Sequence, residues 1–277
     1  MAVDLSRFAV PGEAPPFSDQ TLVDVRAGRA TVVGDERGVA VVRDGEFELA
    51  VGLEERGRGL GTALVTQVLG TGGGAAPVAG QAPRLAWAHG DHPAARALAA
   101  RFGWTAVRTL LQLRAPIASV APDPAVPDGY SLSAFRAGDP GDEADWLALN
   151  AAAFAHHPEQ GRMTLEDLRA READDWFSGD DLLLLRDADG QLAGSCWLKV
   201  EDGIGEFYAV AVRPDLQGQR LGGVLMRAGT ARLTGRGLTA AALYVEGDNE
   251  PALALYRRSG FVQHAIDVQY AAPGSGR

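Results

Sequence analysis

Short apolar runs rich in β-branched residues alternate with stretches of helical spacing along most of the chain. Residues 31–33, 39–42 and 47–51 are brief strand-like runs parted by turns such as Arg43-Asp44-Gly45, the pattern of a meander. Leu60, Leu64, Val65 and Val68 then recur at helical intervals ahead of Gly70, so the spacing predicts a helix over residues 60–69 with a glycine stop. Residues 85–88 read as a strand, 93–101 as a helix closed by Gly103, and 104–113 as a strand pair or one long strand. Further strands are expected over 130–135, 182–185, 192–200, 207–212, 240–245 and 261–270. Helices are expected over 143–154, 165–177, 221–234 and 251–259. Elements in this order imply an α/β fold, or α+β, with a mixed sheet and helices on its faces.

Residues 114–130 read R-A-P-I-A-S-V-A-P-D-P-A-V-P-D-G-Y, and the four prolines favour an extended connection poor in backbone donors. A domain boundary is expected there, giving an N-terminal domain at 1–115, a linker at 116–129 and a C-terminal domain at 130–277. The domains repeat each other. Residues 47–64, F-E-L-A-V-G-L-E-E-R-G-R-G-L-G-T-A-L, lie against 208–225, Y-A-V-A-V-R-P-D-L-Q-G-Q-R-L-G-G-V-L. This sets Leu49 against Val210, Val51 against Val212, Gly61 against Gly222 and Leu64 against Leu225. Residues 87–104, W-A-H-G-D-H-P-A-A-R-A-L-A-A-R-F-G-W, likewise lie against 244–261, Y-V-E-G-D-N-E-P-A-L-A-L-Y-R-R-S-G-F.

Each copy runs strand, basic or glycine-rich turn and helix start, then strand, turn and helix. This arrangement resembles the GNAT acyltransferase superfamily, whose loop pattern is Q/R-x-x-G-x-G/A. Unpaired N–H groups at a helix N-terminus suit a pyrophosphate, and glycines let a ligand approach the main chain, so a CoA site fits each copy. Arg56-Gly57-Arg58-Gly59-Leu60-Gly61 matches the pattern in full. Gln217-Gly218-Gln219-Arg220-Leu221-Gly222 departs from it at Arg220, where glycine is expected. If that position needs a positive φ, the arginine costs on the order of 1 kcal/mol; alternatively, its charge helps to hold phosphate.

Acetyl transfer from a thioester to an amine needs a base, donors for the oxyanion and an acid or hydrogen-bond donor for the thiolate. Within the superfamily resemblance, Glu206 at a strand start is placed as the base, and Tyr256, on the helix after the second ligand loop, as the acid. Constant offsets put Gly45 and Ala99 at these positions of the first copy. Glu46 is then one residue out of register and expected on the other face of its strand. The first copy is therefore expected to bind acyl-CoA without turning it over.

Longer stretches are more specific. W-A-H-G-D-H-P-A-A-R at 87–96, N-A-A-A-F-A-H-H-P-E-Q-G at 150–161, G-E-F-Y-A-V-A-V at 205–212 and L-Y-V-E-G-D-N-E at 243–250 together resemble the mycothiol synthase family of tandem acetyltransferases. The likeness spans nearly all of the chain after about residue 17. It implies a first copy truncated at its N-terminus, without its opening strand and helices. It also implies transfer of acetyl from acetyl-CoA to the cysteinyl amine of a cysteinyl-glucosaminyl-inositol precursor (desacetylmycothiol), giving mycothiol and CoA. Glu159, Lys199, Glu206 and Tyr244 would contact that precursor, with Asp19 a further acidic contact from the first copy. Acetyl-CoA would lie along Val210, Ala211 and Val212, and across Gln217, Gly218, Gln219, Arg220, Leu221, Gly222 and Gly223. It would continue beside Asn249, Glu250, Pro251, Ala252, Leu253 and Ala254. First-copy equivalents are Leu49, Ala50 and Val51, then Gly57, Arg58, Gly59, Leu60, Gly61 and Thr62. Taken singly, Glu159 and Lys199 read as solvated surface charges.

At 277 residues, with 46% apolar and 22% charged, the chain can build two modest cores. A formal charge of −10 would repel a phosphate backbone, which argues against a nucleic-acid partner. Asp4 and Arg7 interrupt the apolar N-terminus, unlike a signal peptide, and no uncharged run reaches the roughly 18 residues of a membrane span. The single cysteine, Cys196, excludes an intrachain disulfide and reads as a packing residue in an apolar strand. His156 and His157 lack a third ligand at metal spacing, so no metal is expected. The expectation is a cytoplasmic monomer with no membrane partner. Two alternatives stay open: a tandem acetyltransferase for another amine, such as an aminoglycoside or a peptide N-terminus, and a non-catalytic acyl-CoA-binding sensor.

Overall fold

A computed structural model describes residues 3–71, 82–118, 122–155, 160–201 and 203–274. Contacts divide the chain into two compact units. Unit 1 comprises Met1–Leu111, Glu246–Asp248 and Ala265–Arg277, and unit 2 comprises Gln112–Val245 and Asn249–His264. The expected boundary at the proline-rich segment thus meets a division in which most of the last strand groups with the first copy.

Unit 1 opens with a 3₁₀ turn at Leu5–Phe8 and helix α1 (Asp19–Arg26). The expectation of a truncated first copy holds for the opening strand, since no strand precedes α1 among the described residues, and is corrected for the helices: one helix, α1, stands where unit 2 has two. Ser18 caps α1 by accepting from Thr21 N, and Glu48 fastens the cap through Ser18 N at 3.0 Å and Ser18 Oγ at 2.9 Å. These contacts come from a strand distant in sequence, which local pattern does not reveal. The meander follows as β1 (Thr31–Asp35), β2 (Gly38–Arg43) and β3 (Glu46–Val51), then α2 (Leu60–Leu69), β4 (Leu85–His89) and α3 (Pro93–Phe102). Residues 105–116 form one long strand, β5 (Thr105–Pro116). The last strand, β11 (Val262–Ala271), pairs antiparallel with β4, setting Asp267 against His89 and Gln269 against Trp87.

Strand β2 is buried on both faces. Val39 and Val41 pack with Leu5, Phe8 and Phe17, while Ala40 and Val42 pack with Phe47, Val65, Val68 and Trp104. This double covering explains its unbroken apolar run.

Unit 2 contains β6 (Ser131–Ala134), α4 (Pro140–Ala153), α5 (Leu165–Glu172), β7 (Leu182–Arg186), β8 (Leu192–Glu201), β9 (Ile204–Val212), α6 (Leu221–Gly235), β10 (Ala240–Glu246) and α7 (Glu250–Arg258). Its strands lie in the order β10-β9-β8-β7-β6. Helix α5 ends at Glu172, short of the expected 177, and Trp176 and Phe177 turn into an aromatic cluster with Trp197 and Tyr208. Trp146 completes it, 5.1 Å from Trp197 edge to face. The opposite face of β8 carries Cys196 beneath α6, where a Cβ on Gly229 would lie 2.9 Å from the sulfur. The residue is buried, as the apolar strand implied. Ile117 N and Arg227 Nε donate to Thr239 O and Pro124 O, which holds described parts of the proline-rich segment within unit 2.

Candidate active site and its counterpart in the first copy

The two phosphate-type loops fold alike. Gly59 caps α2 at φ 85° and Arg220 caps α6 at φ 65°, neither with a side-chain cap bond, so first-turn N–H groups remain available to a ligand. Arg220 therefore does occupy a left-handed position, at a cost of about 1 kcal/mol. Gly57 at φ 75° and Gly218 at φ 82° make the preceding turns, and nothing crowds either position. Arg56 Nε donates to Val51 O at 3.3 Å, and Gln217 Nε2 donates to Val212 O at 3.4 Å. Gly61 and Gly222 admit Leu98 and Leu255, since added Cβ atoms would lie 3.3 and 3.0 Å from these side chains.

In unit 2, β9 and β10 pair in parallel at Ala241↔Gly205 and Ala242↔Glu206. Glu206 thus stands where this recorded pairing ends, opposite Lys199 on β8. Lys199 Nζ lies 5.5 Å over the Trp176 ring and 2.8 Å from Glu201 Oε2. Tyr244, two residues beyond Ala242, is 46% exposed, and its Oη accepts from Gln112 Nε2 at 2.6 Å. Tyr256 lies on the other face of the sheet, near Cys196 and 6.2 Å from Phe261. Burial, with the neighbouring thiol, pushes its phenol up to about 12. At neutral pH this group is a hydrogen-bond donor; passing its proton to a thiolate of ordinary basicity is uphill.

The counterpart in unit 1 corrects one expectation. Pairing in β8/β9 steps from Trp197↔Ala209 to Leu198↔Phe207, leaving Tyr208 as an extra, bulged residue. Pairing in β2/β3 runs without a step from Gly38↔Val51 to Arg43↔Glu46. Past the bulge the repeat offset shifts by one, and Glu46 becomes the counterpart of Glu206. Glu46 pairs with Leu85 as Glu206 pairs with Ala242. Phe47 meets Trp104 edge to face at 5.6 Å, just as Phe207 meets Phe261 at 5.7 Å. The first copy therefore keeps a carboxylate at this place, although a constant offset hides it. That carboxylate is engaged: Arg43 Nη2 lies 2.7 Å from Oε1, and Trp87 Nε1 and Gln269 Nε2 donate to Oε2 at 3.1 and 3.4 Å.

A cavity of about 550 Å³ opens in unit 1 beside this group, within the usual range of a ligand pocket. Leu49, Ala50, Val51, Gly57, Gly59, Leu60, Gly61 and Thr62 all line it. Arg58 projects outward toward Glu55 at 3.4 Å.

The profile of the Acetyltransferase (GNAT) family matches residues 146–261. The mycothiol acetyltransferase of Clavibacter michiganensis subsp. michiganensis is 48% identical over 269 residues, covering 92% of this chain and 85% of that protein. The chain belongs to the mycothiol acetyltransferase family. A solved GCN5-related N-acetyltransferase from Sphaerobacter thermophilus matches with a TM-score of 0.73 at 21% identity, covering 96% of this chain and 90% of its own. A tandem GNAT protein from the clavulanic acid biosynthesis pathway matches at 0.65 and 18% identity, covering 99% and 93%. These structures establish the fold as tandem GNAT copies.

Of the acceptor contacts implied for this mycothiol acetyltransferase family member, the structure gathers Lys199, Glu206 and Tyr244 along β8, β9 and β10. Glu159, His156 and His157 lie outside the described residues, and Asp19 is placed only as the first residue of α1, its side chain outside the description. Asn249 has a structural task as well: it caps α7 by accepting from Ala252 N at 3.2 Å, and Glu250, Pro251, Ala252, Leu253 and Ala254 form the first turns of that helix. Sequence reasoning missed Trp176, Gln112 and the carboxylate Glu46. Local sequence carried no signal for the place of Glu46, because the shift in register comes from the bulge at Tyr208.

Proposed function

We propose that unit 2 transfers the acetyl group of acetyl-CoA to the cysteinyl amine of a cysteinyl-glucosaminyl-inositol acceptor, giving mycothiol and CoA. The observation that carries this reading is Glu206, opposite Lys199 at the point where β9 leaves β10, in the same unit as a helix N-terminus open to phosphate. Membership of the mycothiol acetyltransferase family supports the acceptor.

A cysteinyl α-amine has a reference pKa near 8, so Glu206 need remove a proton from only part of the population at neutral pH, directly or through one water. The amine attacks the thioester carbon from the Glu206 face. Main-chain N–H groups near Val210 on the β10-facing edge of β9, free of the antiparallel ladder with β8, receive the oxyanion. Tyr256 meets the departing sulfur from the opposite face and donates a hydrogen bond to the thiolate while keeping its proton. Lys199 and Tyr244 orient the acceptor. The site residues, and a boundary between two copies at residues 116–129, form part of this proposal.

Release of CoA, followed with the cysteinyl pseudodisaccharide against aminoglycosides, peptide N-termini and simple amines, tests the reading. At least a hundredfold preference in kcat/KM for the cysteinyl acceptor is expected. Comparable rates with another amine would replace the acceptor, and no turnover with any amine would favour an acyl-CoA-binding role.

A further inference from the structure

The cavity of unit 1 has two chemically different ends. Gly57, Gly59 and Gly61 line one, at the N-terminus of α2. Phe47, Val65, Trp104 and Tyr270 also line the cavity, and all four belong to the buried core of the unit. A pocket that enters its own hydrophobic core leaves apolar surface without packing partners unless a ligand supplies them.

A side-chain difference between the copies opens this inner end. In unit 2 the Tyr256 ring, only 9% exposed, occupies the space beside Phe261 and Cys196. In unit 1 the matching helix position is Ala99, and Ala40 stands where Cys196 stands. Trp104 takes the place of Phe261 but keeps the same edge-to-face contact with the strand phenylalanine, so its bulk is held at Phe47. Ala99 itself lines the cavity. Ala99 therefore leaves the wall of the cavity without the ring that Tyr256 supplies at this position of the other copy.

We propose that the first copy is a binding site for acyl-CoA thioesters whose chain is longer than acetyl, about four to six carbons, with the chain running past Ala99 toward Trp104 and Tyr270. This rests on the reading that the Arg56–Gly61 loop holds the phosphates of CoA. The site is one of binding without transfer: Glu46 is held by Arg43 and Trp87, and Ala99 offers no hydroxyl to a leaving sulfur. A preorganised apolar tunnel rewards each added methylene by the hydrophobic increment, about fourfold in affinity, until the tunnel is full.

Titration calorimetry on the full chain with CoA, acetyl-CoA, butyryl-CoA and hexanoyl-CoA tests this, with the Arg58→Glu/Gly59→Asp double variant showing which isotherm belongs to the first copy. The expected result is a dissociation constant at that site falling at least tenfold from acetyl-CoA to hexanoyl-CoA. Ala99→Tyr should erase the gain, so that hexanoyl-CoA binds no more tightly than acetyl-CoA. Ala99→Leu, a smaller intrusion, should cut it in part and serves if the tyrosine variant does not fold. Equal affinity for all four ligands, or a chain-length gain that survives both substitutions, would overturn the proposal while leaving the CoA site standing. Failure of CoA and every thioester to bind the first copy would remove the CoA reading as well.

Discussion

Arg43 and Glu46 face each other across a two-residue turn in unit 1, 2.7 Å apart, in the positions that Lys199 and Glu206 hold in unit 2. A cationic residue is thus kept at the paired position in both copies. Trp87 Nε1, at the place of Tyr244, donates to Glu46 at 3.1 Å, while Tyr244 Oη accepts from Gln112. The Glu46 carboxylate is thus built into a network around β3.

Glu206→Gln is accordingly expected to lower kcat/KM by about 10² to 10⁴ at pH 7, the range of a lost general base, with partial recovery as pH rises and the amine deprotonates unaided. Glu46→Gln should leave kcat/KM within about threefold. Steady-state CoA release on both variants checks the pair, and an equal loss would show that the first copy takes part in chemistry.

Tyr256→Phe should reduce kcat at least tenfold with little change in acetyl-CoA affinity. The phenol is pushed up to about 12, chiefly by burial, so its ionisation lies above the working range. Between pH 7 and 10 the rate should therefore show no alkaline limb that disappears in the variant. Observation of such a limb would mean that Tyr256 ionises during turnover.

Relief of backbone strain can be read at Arg220. With φ at 65°, Arg220→Gly is expected to raise the unfolding free energy by up to about 1 kcal/mol, and Arg220→Ala to give no gain. Denaturant unfolding measures both. Weaker acetyl-CoA binding in the glycine variant would add a phosphate contact to the arginine.

Arg56 of the first loop is bound by Glu13 through a bidentate pair at 2.7 and 2.8 Å, and this contact holds the Glu13 carboxyl below its usual range. A phosphate must compete with that carboxylate. Glu13→Ala should tighten acyl-CoA binding at the first copy by up to about fivefold, a modest effect because the pair is partly exposed. Calorimetry on the full chain reads the change.

His89 is enclosed by Asp267 Oδ1 at 3.1 Å and Glu48 Oε1 at 3.5 Å. Burial alone would lower its pKa, but the two carboxylates outweigh it and raise the value to about 9, from 6.5. A raised histidine pKa contributes stability fully below pH 6.5 and loses it as pH climbs through 9. Unfolding free energy of the parent should fall across that window by on the order of 3 kcal/mol more than that of His89→Gln. Parallel pH profiles would show that the charge is not coupled to folding.

Sequence alone determined what short-range physics controls. Helix α2 follows from Leu60, Leu64, Val65 and Val68 with Gly70 behind them, because capping and periodicity involve only a few neighbouring residues, whereas the left-handed backbone at Arg220, left open by the sequence, is read from the structure. The duplication was legible for the same reason, as two loops each followed by the right strand and helix. Long-range pairing decided the rest. Whether Glu46 or Gly45 answers Glu206 depends on the bulge at Tyr208, which exists only as a relation between β8 and β9. The grouping of Ala265–Arg277 with unit 1 depends on β11 pairing with β4, across a separation that no local spacing records. The acidity of Tyr256 is set by burial near Cys196, brought there from 60 residues away in the chain. Side-chain type and spacing name the groups that can do chemistry; the register of strands and the depth of burial decide which of them are placed and ionised to do it.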